Sequence, residues 1–105
     1  MSIELTFLGH SGILICGGGH TVVIDPFLTG NPVAKHQPAD ITCQTILVTH
    51  GHADHVGDAV AIAKANNAPV IGAFELCDYF AEQGCQTNPG NPGGKIDTDF
   101  GWVAL

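Results

Sequence analysis

Ile46-Leu47-Val48-Thr49-His50-Gly51-His52-Ala53-Asp54-His55 decides how this chain is read. Its opening triplet is a continuous apolar run, as expected of a strand buried on both faces. Directly behind it come three imidazoles and a carboxylate. α/β folds place their chemistry at the carboxyl ends of such strands, so the cluster stands where a site is expected rather than on an arbitrary polar loop. Neutral imidazole nitrogen and carboxylate oxygen suit Zn²⁺ and, less selectively, Mn²⁺, Fe²⁺, Co²⁺ or Ni²⁺. His50 and His52, at alternate positions on an extended segment, project to the same side and can bite one ion. Asp54 and His55 fall in the turn that follows, where a second ion could share the site about 3.5 to 4 Å away. The stretch outlines a dinuclear metal centre.

Upstream, Ile3 to Phe7 alternates apolar and polar residues, the pattern of a strand with one buried face. Ile13 to Ile15 and Thr21 to Ile24 are short β-branched runs joined through Gly17-Gly18-Gly19, a hairpin signal, and the three segments together predict an antiparallel meander. Residues 26 to 44, rich in Pro, Gly, Asn and Thr, predict a long irregular loop of the kind that is often functional. Downstream, Asp58 to Asn67 reads as a helix stopped before Pro69, and Pro69 to Gly72 as the next strand. Glu75 to Gln83 reads as a second helix, with Leu76, Tyr79 and Phe80 on one stripe. Asn88 to Gly94 is expected to break regular structure, and a hairpin of Lys95–Asp97 and Phe100–Leu105 closes the chain. The fold class is α/β (α+β), in a single domain over residues 1–105 with no internal repeat.

His50-x-His52-x-Asp54-His55 resembles the signature of the metallo-β-lactamase superfamily, metal-dependent hydrolases built as an αββα sandwich. The flavodiiron oxygen reductases of the same fold are similar but carry Glu where this chain has His52, so the hydrolase branch is the better match. Gly9-His10-Ser11-Gly12, Ile24-Asp25-Pro26-Phe27 and His55-Val56-Gly57-Asp58 narrow the resemblance to the metal-dependent hydrolases related to L-ascorbate-6-phosphate lactonase. The resemblance implies that His50 and His52 hold one metal and that Asp54 and His55 hold the other. Asp54 would also shuttle a proton to the leaving group. Asp25 would accept hydrogen bonds that fix the histidine-rich turn, and His10 would lie near the site mouth, close to substrate. The ions implied are two divalent metals, zinc first, with manganese, iron and nickel compatible with the same donors.

The resemblance covers nearly the whole chain but only the first half of such a domain. Family members go on to a further histidine, a bridging aspartate and a last histidine, whereas no His or Asp follows Asp99 here. The terminal run Trp102-Val103-Ala104-Leu105 is apolar where tails are usually polar. The expectation is therefore an N-terminal piece of a longer protein.

Composition excludes several other classes. An apolar fraction of 45% is that of an ordinary globular protein. Three lysines, no arginine and a formal net charge of −7 lack a nucleic-acid footprint. The start of the chain lacks the basic and apolar regions of a signal peptide, and no apolar window is long enough to cross a bilayer, so the expected location is cytoplasmic, without a membrane partner. Cys16, Cys43, Cys77 and Cys85 are scattered and read as reduced, mostly buried thiols. His20 and His36 have no supporting pattern and read as solvated loop residues. Two functions stay open. One is a hydrolase acting on a small-molecule ester, lactone or phosphoester. The other is a catalytically incomplete metal-binding fragment or oligomerising module, which would pair with another copy or with a missing C-terminal half.

Overall fold

The computed structural model describes residues 2–105. Eight strands and three helices follow in the order β1 (Ile3–Phe7), β2 (Ile13–Gly17), β3 (His20–Ile24), β4 (Thr45–Leu47), α1 (Ala53–Val56), α2 (Ala59–Asn66), β5 (Val70–Ala73), α3 (Phe74–Glu82), β6 (Thr87–Gly90), β7 (Lys95–Thr98) and β8 (Gly101–Ala104). The first six form one sheet in sequence order, and β7 and β8 form a separate hairpin. β1, β2 and β3 pair antiparallel, as the alternation and the glycine turn predict. From β3 onward the pairing is parallel, which demands crossover connections. Helices α2 and α3 supply two of these crossovers, and residues 25–44, with one 3₁₀ turn at Pro38–Asp40, supply the third.

Register fixes which residues share a face. Val23 stands beside Ile46, and Ile46 beside Val70. All three are wholly buried, in one cluster with Ile62 and Ala63 of α2 and Phe80 of α3. The opposite face carries Ile3, Leu5 and Phe7, aligned with Gly17, Ile15 and Ile13 across the β1–β2 pair. Part of that face lies under the β7–β8 hairpin, where the Phe100 ring packs tilted against His20 with centroids 4.7 Å apart. Leu5 and Phe7 are each 69% exposed. None of the described helices is long and apolar enough to cross a membrane.

Three expectations need correction. The alternate apolar residues of β1, read as one buried face, are exposed, Ile3 at 66% and Leu5 and Phe7 at 69%, because that face of the strand is uncovered. Asn88 to Gly90 does not break regular structure: it belongs to β6, which pairs parallel to β5 through Val70 and Thr87 to Ala73 and Gly90. Pro89 is tolerated because β6 is the sheet edge, where a missing N–H leaves no ladder bond unmade. His20 is not a loop residue either. It opens β3, and its Nε2 lies 3.1 Å from Thr45 Oγ1.

Candidate metal centre

The parallel pairing of β3 with β4 brings their carboxyl ends together, and there the chain leaves β3 through Asp25 and β4 through Val48 and Thr49. Asp25 is buried, with φ of +48°, a left-handed conformation that is uncommon outside glycine. Its backbone N–H still bonds Leu47 O at 2.9 Å, so the strand pairing continues into the bend. Its carboxylate accepts the Thr49 backbone N–H on Oδ1 at 2.8 Å. On Oδ2 it accepts the Thr49 hydroxyl at 2.7 Å and His55 Nδ1 at 2.8 Å.

Proton counting then assigns the imidazoles. His55 donates Nδ1–H to Asp25, which leaves Nε2 as its lone-pair nitrogen. The Thr49 hydroxyl has spent its only proton on Asp25, so it can only accept from His50 Nδ1, 2.9 Å away. His50 is thereby held in the same tautomer, with Nε2 free. A buried carboxylate has thus oriented two imidazoles, one directly and one through a hydroxyl. Metal-binding histidines are commonly oriented in this way.

Downstream, His52 is extended and starts the single helical turn α1, with His55 N–H and Val56 N–H both bonded to its carbonyl. That turn swings Asp54 and His55 under the strand end. It closes at Gly57, where φ is +46° and an added Cβ would lie 2.5 Å from both Pro26 O and Phe27 Cα. Next to it the Asp58 carboxylate accepts Leu28 N–H (3.1 Å), Thr29 N–H (2.8 Å) and the Thr29 hydroxyl (2.8 Å). Asp58 ties the loop after Asp25 to the helical turn, a function the sequence reading did not give it. The signal was present in Asp25-Pro26-Phe27 and His55-Val56-Gly57-Asp58, two short runs that proved to face one another.

The other five residues singled out in the sequence lie close to Asp25 or to one another. The His50 ring lies 4.7 Å from His52 and 4.0 Å from His55, centroid to centroid. His10, on a glycine-flanked turn between β1 and β2, sets its ring edge-on to Phe27 at 5.6 Å and to His55 at 5.4 Å. His10 Nε2 lies 3.2 Å from Asp54 Oδ2, and His55 Nε2 lies 3.9 Å from Asp54 Oδ1. The tightest donor set is therefore His10, Asp54 and His55, whose ligand atoms all fall within 4.8 Å of one another. Imidazole and carboxylate at this spacing, with the His55 tautomer already set, fit a divalent ion of the zinc type. Three of the four thiols do not compete. Burial pushes Cys43 up to about 11, and burial also raises Cys77 and Cys85, keeping all three protonated.

Beside His50 opens a recess of about 840 Å³, walled by Ala53, Val56, Ala73, Leu76 and Tyr79, with Glu75 at its edge. Helix α3 builds one wall and the turn α1 the other. Its apolar lining beside a cluster of polar groups is typical of small-molecule sites.

A sequence profile described as the metallo-beta-lactamase superfamily matches residues 5–95. The chain is 50% identical over 95 residues to a UPF0173 metal-dependent hydrolase of Carboxydothermus hydrogenoformans, covering 90% of this chain and 42% of that protein. It is 48% identical over 101 residues to a UPF0173 metal-dependent hydrolase of Geobacillus thermodenitrificans, covering 96% and 45%. Among solved structures, Igni18, a metallo hydrolase from the archaeon Ignicoccus hospitalis, superposes with a TM-score of 0.85 at 30% identity, covering 93% of this chain and 43% of that one. The chain spans less than half the length of each of these relatives.

Proposed function

Because the chain belongs to the metallo-beta-lactamase superfamily, we propose that it forms the metal-binding part of a hydrolase acting on a small-molecule ester, lactone or phosphoester. The observation that carries this reading is the hydrogen-bonded set of Asp25, Thr49, His50 and His55, which leaves Nε2 of both imidazoles free, that of His55 lying 3.9 Å from Asp54 Oδ1. The names of the similar proteins, metal-dependent hydrolase and metallo hydrolase, support the same class.

His50 and His52 would hold one divalent ion and Asp54 and His55 a second, zinc being the first choice for this donor set. Bound there, such ions supply an acidified water and polarise the bond under attack. The chain's own residues do the rest. Asp25 keeps His55, and through Thr49 also His50, in the tautomer that offers Nε2. Asp54, half-exposed, can pass a proton from a carboxylate oxygen to a leaving group. The apolar walls by His50 would hold the substrate's hydrocarbon part and exclude water from it. Acidic charge and the absence of arginine argue against a nucleic-acid substrate, and the cytoplasm is the proposed location.

A second reading rests on the open sheet face. Ile3, Leu5 and Phe7 leave apolar surface uncovered, as in a fragment or oligomerising module that gains its remaining ligands from another copy or from further chain. Elemental analysis of the purified chain beside a His52→Ala variant tests the first reading. About two ions per chain, reduced in the variant, together with turnover in a panel of lactones, esters and phosphoesters, are the expected results. Stoichiometric metal without turnover favours the second reading, and absence of metal defeats the metal centre itself.

A further inference from the structure

We propose that His10 is a metal ligand, so that His10, Asp54 and His55 form a complete three-donor site contributed by this chain alone. The inference rests on the metal-centre reading above and goes beyond it, because His10 was expected to face substrate rather than an ion. A tetrahedral zinc-type centre with bonds of about 2.0–2.2 Å sets its donors about 3.3–3.6 Å apart. His10 Nε2 and Asp54 Oδ2, at 3.2 Å, already stand near that separation. His55 Nε2 lies 3.9 Å from the other carboxylate oxygen, Asp54 Oδ1, and with all three donors inside 4.8 Å the set would draw in by about an ångström to reach that spacing. No other group of three or more such side chains gathers its donors this closely among the described residues.

The turn that carries His10 is built to hold it there. Leu8 N–H bonds Gly12 O at 2.9 Å and Gly12 N–H bonds Gly9 O at 3.1 Å, closing a tight loop in which His10 takes a φ of +55°. A Cβ on Gly9 would press on Asn31 Nδ2 at 3.0 Å and on Val33 Cγ2 at 3.1 Å, and one on Gly12 would press on Asp25 O at 3.1 Å. The loop therefore sits directly against the residue that orients His55. Phe27 and His55 flank the His10 ring edge-on, which restricts its rotation and leaves Nε2 aimed at Asp54. None of His10, Asp54 and His55 lines the recess that opens beside His50. An ion held this way would leave that recess free for substrate.

The test uses the full chain, stripped of metal and titrated with Co²⁺ alone, with ¹³C-labelled histidine rings. Calorimetry gives affinity, and hyperfine-shifted ring signals count the coordinated imidazoles. In a His50→Ala/His52→Ala background the chain should still bind one Co²⁺ and show two coordinated imidazoles, those of His10 and His55. Adding His10→Ala should remove one of the two and weaken binding at least tenfold, with partial recovery on adding free imidazole. An unchanged count and affinity would overturn the proposal. A weaker affinity with the count intact would overturn it too, since His10 would then only position Asp54. Co²⁺ binding that is abolished in the His50→Ala/His52→Ala background but unaffected by His10→Ala alone refutes the His10 site and leaves the proposed function standing. A wild-type chain that binds no Co²⁺ refutes both. Circular dichroism of each variant separates loss of binding from loss of fold.

Discussion

Asp25 shows how much one buried carboxylate can organise. It accepts from a backbone amide, a hydroxyl and an imidazole, and its left-handed backbone is what lets one side chain reach all three. Asp25→Asn keeps the size and tolerates the left-handed conformation, but its amide NH₂ would face donors instead of accepting from them. Removing such an acceptor from a buried group costs about 1–3 kcal/mol, which the urea midpoint would report. Metal affinity should fall about 10- to 100-fold by calorimetry, as when partners of metal-bound histidines are removed. Asp25 stood out in the sequence as a strand-end acid before Pro26, and its pairing with the histidine-rich turn was implied there by the family resemblance alone. Its hold on His50 was not, because that runs through the Thr49 hydroxyl and exists only once β3 and β4 have paired.

Among the elements, the short turn α1 depends on its neighbour more than on its own propensity. Four residues cannot sustain an isolated helix. What holds α1 is Gly57 packed against Pro26 and Phe27, together with Asp58 bonding the 28–29 backbone. Gly57→Ala would place a methyl 2.5 Å from backbone atoms in a conformation that side chains avoid. Overpacking and backbone strain each cost about 1–3 kcal/mol, so a total loss of about 3 kcal/mol is expected in chemical denaturation. Faster amide exchange at Leu28 and Thr29 should accompany it. At this scale the antiparallel strands were legible because alternation and a glycine turn are local signals, and α2 was legible from its spacing and its stop before Pro69. β6 was not, because Thr87 to Gly90 has neither β propensity nor alternation and becomes a strand only by pairing with the edge of β5.

For the whole molecule, the decisive feature is the asymmetry of the sheet. One face is sealed by α2 and α3 around Phe80, whereas the other leaves Ile3, Leu5 and Phe7 largely exposed. Contiguous apolar surface of this kind drives association. The chain should self-associate at micromolar concentrations in analytical ultracentrifugation, and the double variant Leu5→Glu/Phe7→Glu should shift it toward monomer. A wild-type chain that sediments as a monomer throughout would refute this. The donor types, their place behind a buried strand and the strand–helix alternation were determined by the sequence alone, because they depend on residue chemistry and short-range spacing. Tertiary structure decided which donors meet. The parallel pairing of β3 and β4 carries Asp25 to His55 across 30 positions of chain, and the turn between β1 and β2 brings His10 to Asp54, since a side chain's partners are set by packing between elements and not by distance along the backbone.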